Sequence, residues 1–199
     1  DNDPRIFGKY AFIDDYITKM IWRYVCLNKG LTIKYNGKKF YSKNGLKDLL
    51  LSSMNEADSL YPIIHLSEEN FEFAFTHSDK VYTEEHYSFV NGQNTTQGGT
   101  HLAGFREALV KVLKEFYKKD YEPSDIRQGL VAAISLRIKE PVFESQTKTK
   151  LGSTNMQPDG SGVAVKTYIA DIVRRTLDDY LHINSEAADA ILQKVVRNE

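Results

Sequence analysis

Apolar positions along the chain change period several times, and each change marks an element. Within residues 12–27, Ile13, Ile17, Met20, Ile21, Tyr24 and Val25 recur at helical spacing, which predicts a helix with one apolar face. Asn28-Lys29-Gly30 is its expected stop, with the glycine able to turn left-handed. Residues 31–35 and 38–41 flank Asn36-Gly37, a hairpin signal, because both central positions of the favoured two-residue turn need positive φ. A short helix is expected over residues 45–51, with Asn44 as its cap. Three strand-like segments follow, at residues 62–66, 71–75 and 86–91. In the second, Phe71, Phe73 and Phe75 alternate with Glu72 and Ala74, so all three rings face a core. The links 67–70 and 76–85 predict an antiparallel meander.

The second half returns to helical spacing. Over residues 100–119 the buried stripe is Leu102, Phe105, Leu109, Val112, Leu113 and Phe116, with Arg106, Lys111, Lys114 and Lys118 off it. Residues 129–139 read as a strand, Ile134, Leu136 and Ile138 alternating with Ser135, Arg137 and Lys139, and Pro141 ends it. A polar loop spans residues 144–162. Helices are expected over residues 163–181, with Val165, Ile169, Ile172, Val173, Leu177 and Tyr180 on one side, and over 186–196 after Asn184-Ser185. This order predicts an α+β fold, a mixed or antiparallel sheet covered by helices. A boundary is expected near residues 42–62, because the first piece has no room for a core of its own and reads as the tail of another domain.

Composition narrows the classes. At 199 residues, 41% hydrophobic and 27% charged, the chain can bury a sizeable core. A net charge of -1 gives no overall basic footprint for nucleic acid or membrane, although local patches could still bind. The single cysteine, Cys26, excludes an intrachain disulfide, which suits a reducing, cytoplasmic setting. It lies in an apolar run and reads as a small buried hydrophobe. No stretch is apolar and long enough to span a bilayer and no signal peptide opens the chain, so no membrane partner is expected. The chain opens on Asp1-Asn2-Asp3-Pro4 rather than Met, which predicts processing or excision from something longer.

Two segments are candidates for chemistry. The loop 144–152, Glu-Ser-Gln-Thr-Lys-Thr-Lys-Leu-Gly, follows a strand and has no hydrophobic period. Lys148 can deliver an ammonium to a phosphate and Gln146 an amide N–H, and charge-assisted contacts of this kind are about twice as strong as neutral ones. The competing reading is a solvated basic loop. The second segment is Gly98-Gly99-Thr100-His101 at a helix start. It could cradle an anion on free N–H groups, but it lacks the P-loop spacing. A tight strand-to-helix turn with Thr100 as cap is the better reading, and His101, with no nucleophile or carboxylate at a recognisable spacing, reads as structural. The five histidines show no paired metal-ligand spacing. The basic side of residues 100–119 either faces duplex DNA or is a solvated mixed-charge surface, since Glu107 and Glu115 interrupt it.

Three strings at these places, in order, carry a family resemblance: residues 89–106 from Phe-Val-Asn through Gly-Gly-Thr-His-Leu-Ala-Gly-Phe-Arg, residues 125–132, Asp-Ile-Arg-Gln-Gly-Leu-Val-Ala, and residues 141–151 ending in Gln-Thr-Lys-Thr-Lys-Leu. Together they resemble the B (ATPase) subunits of bacterial gyrase and topoisomerase IV, with a slight lean toward topoisomerase IV. The resemblance covers essentially the whole chain. It implies that residues 1–45 are the C-terminal end of a Bergerat-type nucleotide-binding domain. It implies that residues 46–199 are a transducer domain similar to the second domain of ribosomal protein S5.

The resemblance also implies roles. Lys148 matches the catalytic lysine that touches the ATP γ-phosphate, and Gln146 the glutamine beside it. ATP and Mg2+ would be bound mainly by the upstream domain. Expected partners are duplex DNA, with Arg106, Lys111, Lys114 and Lys118 as candidate DNA-facing residues, the A subunit that carries the cleavage tyrosine, and a second copy of the ATPase subunit. The chain by itself is expected neither to hydrolyse ATP nor to cleave DNA. Rival readings are a stand-alone nucleic-acid-binding module and the second domain of a related mismatch-repair or chaperone ATPase.

Overall fold

In a computed structural model of the protein, residues 4–199 are described, apart from the side chain of Phe7. Asp1, Asn2 and Asp3, where the expected first segment begins, lie outside the described residues. Helix α1 (Pro4–Leu27) opens with a proline, a residue whose fixed φ suits the first helical turn, and so begins well before the periodic stretch. The hairpin β1 (Thr32–Tyr35) and β2 (Lys38–Tyr41) forms as expected, with Asn36 at φ 47° and Gly37 at φ 76°. Helix α2 is Leu46–Ser53, and a 3-10 turn, Glu56–Asp58, leads to the main sheet.

That sheet consists of β3 (Ile64–Glu68), β4 (Phe71–His77), β5 (Glu84–Val90), β6 (Gln93–Asn94) and β7 (Leu130–Leu136), in the spatial order β3-β4-β7-β5-β6. The expected meander holds only for the β3–β4 hairpin. Strand β7 inserts between β4 and β5, antiparallel to the first and parallel to the second. The cause lies in the connections. Helix α3 (Thr100–Tyr117) and the short α4 (Pro123–Arg127) separate β5 from β7, and such a crossover is what a parallel pair requires. The fold is therefore α+β with a mixed sheet, as the element order predicts.

Both sheet faces are covered. Phe71, Phe73 and Phe75 project to one side, where Phe105 of α3 packs 5.6 Å from the ring of Phe73 and 6.4 Å from that of Phe71. Helices α5 (Val165–Ile183) and α6 (Ser185–Asn198) complete this layer through Ile169, Ile172, Val173, Leu177 and Ile191. On the other side Ala74, Phe89, Val131 and Ala133 meet Cys26 and Leu27 of α1 and Leu46, Leu49 and Leu50 of α2. Strand β7 is thus apolar on both faces, the pattern of a central strand, rather than alternating as its sequence suggests. Cys26 is fully buried, and burial pushes its thiol up to about 11, as a small core hydrophobe requires.

Only the C-terminal end of α1 belongs to that core. Of its apolar stripe, Val25 is buried while Ile13, Met20 and Tyr24 are 42, 42 and 54% exposed, so among the described residues much of that face is left uncovered. Two caps also differ from expectation. Asn44 does not cap α2; Gly45 holds the N-cap position, and its N–H is taken by Ser42 Oγ. Asn184 stands at the cap of α6 but turns its amide back onto the Tyr180 carbonyl.

Two histidines are locked neutral inside this framework. His77 donates from Nε2 to the Ile126 carbonyl at 2.8 Å, which leaves Nδ1 to accept from Tyr61 Oη at 2.6 Å. His101 donates to Thr95 Oγ1 at 3.0 Å, since that hydroxyl gives its own proton to the Ser88 carbonyl. Burial pulls both down to about 4. Each folded value lies below the ordinary 6.5, so the stability tied to neutrality is complete above pH 6.5 and is lost as pH falls toward 4, by about 3 kcal/mol per histidine. Urea unfolding between pH 7 and 4 should show this decline, and His77→Gln and His101→Gln should each flatten it.

Candidate functional site

The polar loop after β7 is a pinched hairpin on a built stem. Phe143 and Leu151 face each other as an antiparallel bridge. Glu144 N–H donates to the Lys150 carbonyl at 2.9 Å, and Gly152 N–H to the Val142 carbonyl at 2.7 Å. At the tip, Lys148 N–H donates to the Ser145 carbonyl at 3.1 Å and closes a turn, with Lys148 in the left-handed region at φ 57°. A line of hydroxyls stiffens the interior: Ser145 Oγ to Thr147 Oγ1 at 2.7 Å, then Thr147 Oγ1 to Thr149 Oγ1 at 3.1 Å.

The root of this stem explains the glycine pair. Leu151 is fully buried in the α3–α5 layer. Its N–H donates to the Gly98 carbonyl at 2.9 Å, and its carbonyl accepts from Thr100 N–H at 3.1 Å. Thr149 is held one step higher, accepting from Gln97 N–H at 2.9 Å. A Cβ on Gly99 would stand 2.3 Å from the Leu151 carbonyl oxygen and 2.5 Å from its nitrogen, and Gly99 also has φ 128°. Only glycine permits that approach. The Gly98-Gly99 segment is therefore neither an anion cradle nor a plain turn: its carbonyl and the next N–H are already used to seat the loop. Thr100 is not the cap, which is Gly99; its hydroxyl donates to the Ser153 carbonyl at 2.7 Å.

The two lysines of the loop have different fates. Lys150 pairs with Glu144 at 3.0 Å. Lys148 and Gln146 are exposed at the tip, and among the described residues neither side chain has an ion-pair or hydrogen-bond partner. The loop thus presents one uncompensated ammonium and one carboxamide from a rigid support. Gln97 and Leu151, which hold that support, carry no periodic signal in the sequence; the Gly-Gly pair alone marks a close backbone approach there.

The basic residues of α3 are not equivalent either. Arg106 forms a double contact with Glu84, Nε at 2.6 Å and Nη2 at 3.0 Å. Glu84 also meets Arg127 at 3.2 Å and His86 at 2.5 Å. Burial alone would raise the Glu84 carboxyl, but the Arg106 and His86 contacts outweigh it and hold it down near 2. Lys114 pairs with Asp120 at 2.8 Å. Lys111 is exposed, and so is Lys118, which ends the helix in a left-handed conformation. Among the described residues no three His, Cys, Asp or Glu side chains converge on a point that could hold a metal ion, and no helix is long and apolar enough to cross a membrane.

Comparison with known proteins places these features in a family. The sequence profile of DNA gyrase B matches residues 27–199. The B subunit of DNA topoisomerase 4 from Borreliella burgdorferi is 46% identical over 197 residues, which cover 99% of this chain and 31% of that protein. The B subunit of DNA gyrase from Clostridium acetobutylicum is 31% identical, over 98% of this chain and 32% of that protein. Among solved structures, the 43K ATPase domain of Thermus thermophilus gyrase B superimposes with a TM-score of 0.72 at 25% identity, over 92% of this chain and 52% of that one. The topoisomerase IV ATP-binding domain of Francisella tularensis shares the fold, with a TM-score of 0.73 at 22% identity over the same fractions. The chain spans about a third of the length of these curated relatives and about half of these solved chains. All three sequence strings, the seat at Gly98-Gly99 and the loop that bears Lys148 fall within the matched region, and the chain belongs to the DNA gyrase B family.

Proposed function

We propose that this chain is the segment of a type II DNA topoisomerase ATPase subunit that couples ATP binding and hydrolysis to DNA strand passage. The observation that carries this reading is Lys148: an exposed ammonium with no carboxylate partner among the described residues, on a hairpin whose Glu144 and Lys150 pair with each other and whose stem is anchored in the core. Residues 1–45 are the end of the nucleotide-binding domain and residues 46–199 the transducer. The exposed part of the α1 stripe, Ile13, Met20 and Tyr24, is what such a division calls for, because the remainder of the upstream domain would cover it. Lys148 then crosses the boundary and donates to the γ-phosphate of ATP, with the Gln146 amide beside it. Magnesium, like ATP, would be held mainly by the upstream domain.

The physical logic is a population shift. A ligand moves an equilibrium between two domain arrangements only if it binds one of them better. ATP does so by adding a charge-assisted contact to Lys148 that exists only when the loop is docked. Loss of the γ-phosphate removes the contact and frees the loop. The partners are duplex DNA, the A subunit with the cleavage tyrosine, and a second copy of the ATPase subunit. The topological change served is decatenation or supercoiling control, and 46% identity to the B subunit of a topoisomerase 4 supports the lean toward topoisomerase IV. Direct DNA contact by α3 falls to Lys111 and Lys118, since Arg106 and Lys114 are committed to Glu84 and Asp120. That commitment favours coupling over a stand-alone nucleic-acid-binding role.

Three experiments bear on this. In the complete ATPase subunit, Lys148→Ala should lower ATP hydrolysis by about 100-fold or more while leaving the melting temperature unchanged, because the side chain is exposed and has no hydrogen-bond or ion-pair partner among the described residues; hydrolysis at the wild-type rate would end the proposal. Gly99→Ala should behave oppositely in the 199-residue chain, destabilising it by about 3 kcal/mol in denaturant titration, because the new methyl collides with the Leu151 backbone at a position already strained for an L residue. The 199-residue chain alone should show no ATP turnover above background in a steady-state assay.

A further inference from the structure

The junction between α1 and the sheet contains a carboxylate that the Lys148 reading does not use. Glu72 lies on β4, on the face opposite the three phenylalanines, and its side chain is 18% exposed. Its Oε1 accepts from Leu46 N–H, the first helical amide of α2, at 3.0 Å. The same oxygen meets His65 Nε2 of β3 at 2.7 Å and Lys29 Nζ, in the turn after α1, at 3.9 Å. Burial would raise this carboxyl, but the His65 and Leu46 hydrogen bonds and the His65 and Lys29 charges together bring it below its ordinary value. A helix N-terminus favours a negative charge, and here the charge comes from another element rather than from a local cap. The fit is close: a Cβ on Gly45 would stand 2.6 Å from Oε1 and 2.7 Å from Lys29 Cε.

A second tie meets the same junction from the other side. Arg137 Nη2 donates to the Leu27 carbonyl, at the last residue of α1, at 3.2 Å. Arg137 directly follows β7, on the stretch of chain that continues into the Lys148 loop. The end of α1 is therefore held by β4 through Glu72 and by the exit of β7 through Arg137. Between α1 and α2 the chain forms the two-stranded hairpin, which pairs with none of the five strands of the main sheet. Apart from the apolar packing of Cys26 and Leu27, Glu72 and Arg137 are two polar ties from this junction to the sheet.

We propose that Glu72 is a positioning residue for energy coupling: its carboxylate clasps the turn after α1 and the start of α2 to strand β4, so that a movement of α1 is delivered to the sheet that bears the Lys148 loop. This rests on the reading of residues 1–45 as the end of the nucleotide-binding domain. Glu72 has no part in binding the nucleotide, so its loss separates hydrolysis from strand passage. A carboxamide at this position would still accept from Leu46 N–H but would lose the ion pair with Lys29.

The test uses the complete ATPase subunit assembled with its A subunit, comparing wild type, Glu72→Ala, Glu72→Gln and Lys148→Ala. Glu72→Ala should keep KM for ATP and the hydrolysis rate within about twofold, while topological changes per ATP hydrolysed fall at least about fivefold. Glu72→Gln should fall between Glu72→Ala and wild type. A merely structural defect would instead lower both rates in proportion and leave the ratio unchanged. An unchanged ratio in folded Glu72→Ala overturns the clasp; if that variant does not fold, an unchanged ratio in Glu72→Gln overturns it. Wild-type hydrolysis by Lys148→Ala would overturn the nucleotide-contact reading instead, whatever the Glu72 variants show.

Discussion

The placement of β7 between β4 and β5 is the constraint on which the rest of the molecule depends. A strand inserted at the centre of a sheet must be apolar on both sides, and Val131 and Ala133 answer Leu130, Ala132 and Ile134 across it. Because the strand is central, two helical layers can form, one on α3 and α5 and the other on α2 and the end of α1. Because it is parallel to β5, its C-terminal end emerges beside the end of β5, close to the chain that begins α3. The loop that leaves it thus meets Gly98 and Gly99 at once. The positions of Lys148, Leu151 and Thr100 all follow from that one pairing.

Charge is sorted by the same geometry. Glu144 answers Lys150, Glu84 answers Arg106 and Arg127, Asp120 answers Lys114, and Glu68 answers Arg175. With these satisfied at home, the cations left without such partners stand out against a chain whose net charge is only -1. A sum over the sequence conceals this; the arrangement reveals it.

Much of the fold is legible in the sequence where one face of an element meets one core. The stripe of α3 and the alternation of Phe71, Phe73 and Phe75 are such cases, and both are found as read. The Asn36-Gly37 turn is legible because its residues answer a local backbone demand. Reading fails where the decisive partner is distant in sequence. The meander cannot be excluded without knowing that α3 serves as a crossover, and β7 cannot be seen as two-sided without α2. Asn44 satisfies the local rule for a cap, yet Ser42 and Glu72 supply the acceptors instead, the latter 26 residues from the Leu46 amide it accepts from. At the loop, residue type alone offers Lys148 and Lys150 alike and the Gln-Thr-Lys resemblance selects Lys148; that Lys150 is paired with Glu144 is visible only in three dimensions.

The double hydrogen bond of Leu151 to the start of α3 has a mechanical consequence. A tug on the loop tip cannot be absorbed by slack at its base, because the base is bonded to Gly98 on one side and Thr100 on the other. It becomes a torque on the first turn of an 18-residue helix, a rod about 27 Å long. Rocking such a rod by roughly 5° about its root carries the far tip through about 2 Å, on the rise per residue of an ordinary helix. Lys118 stands at that tip, so the root of the loop and Lys118 sit at the two ends of one helix.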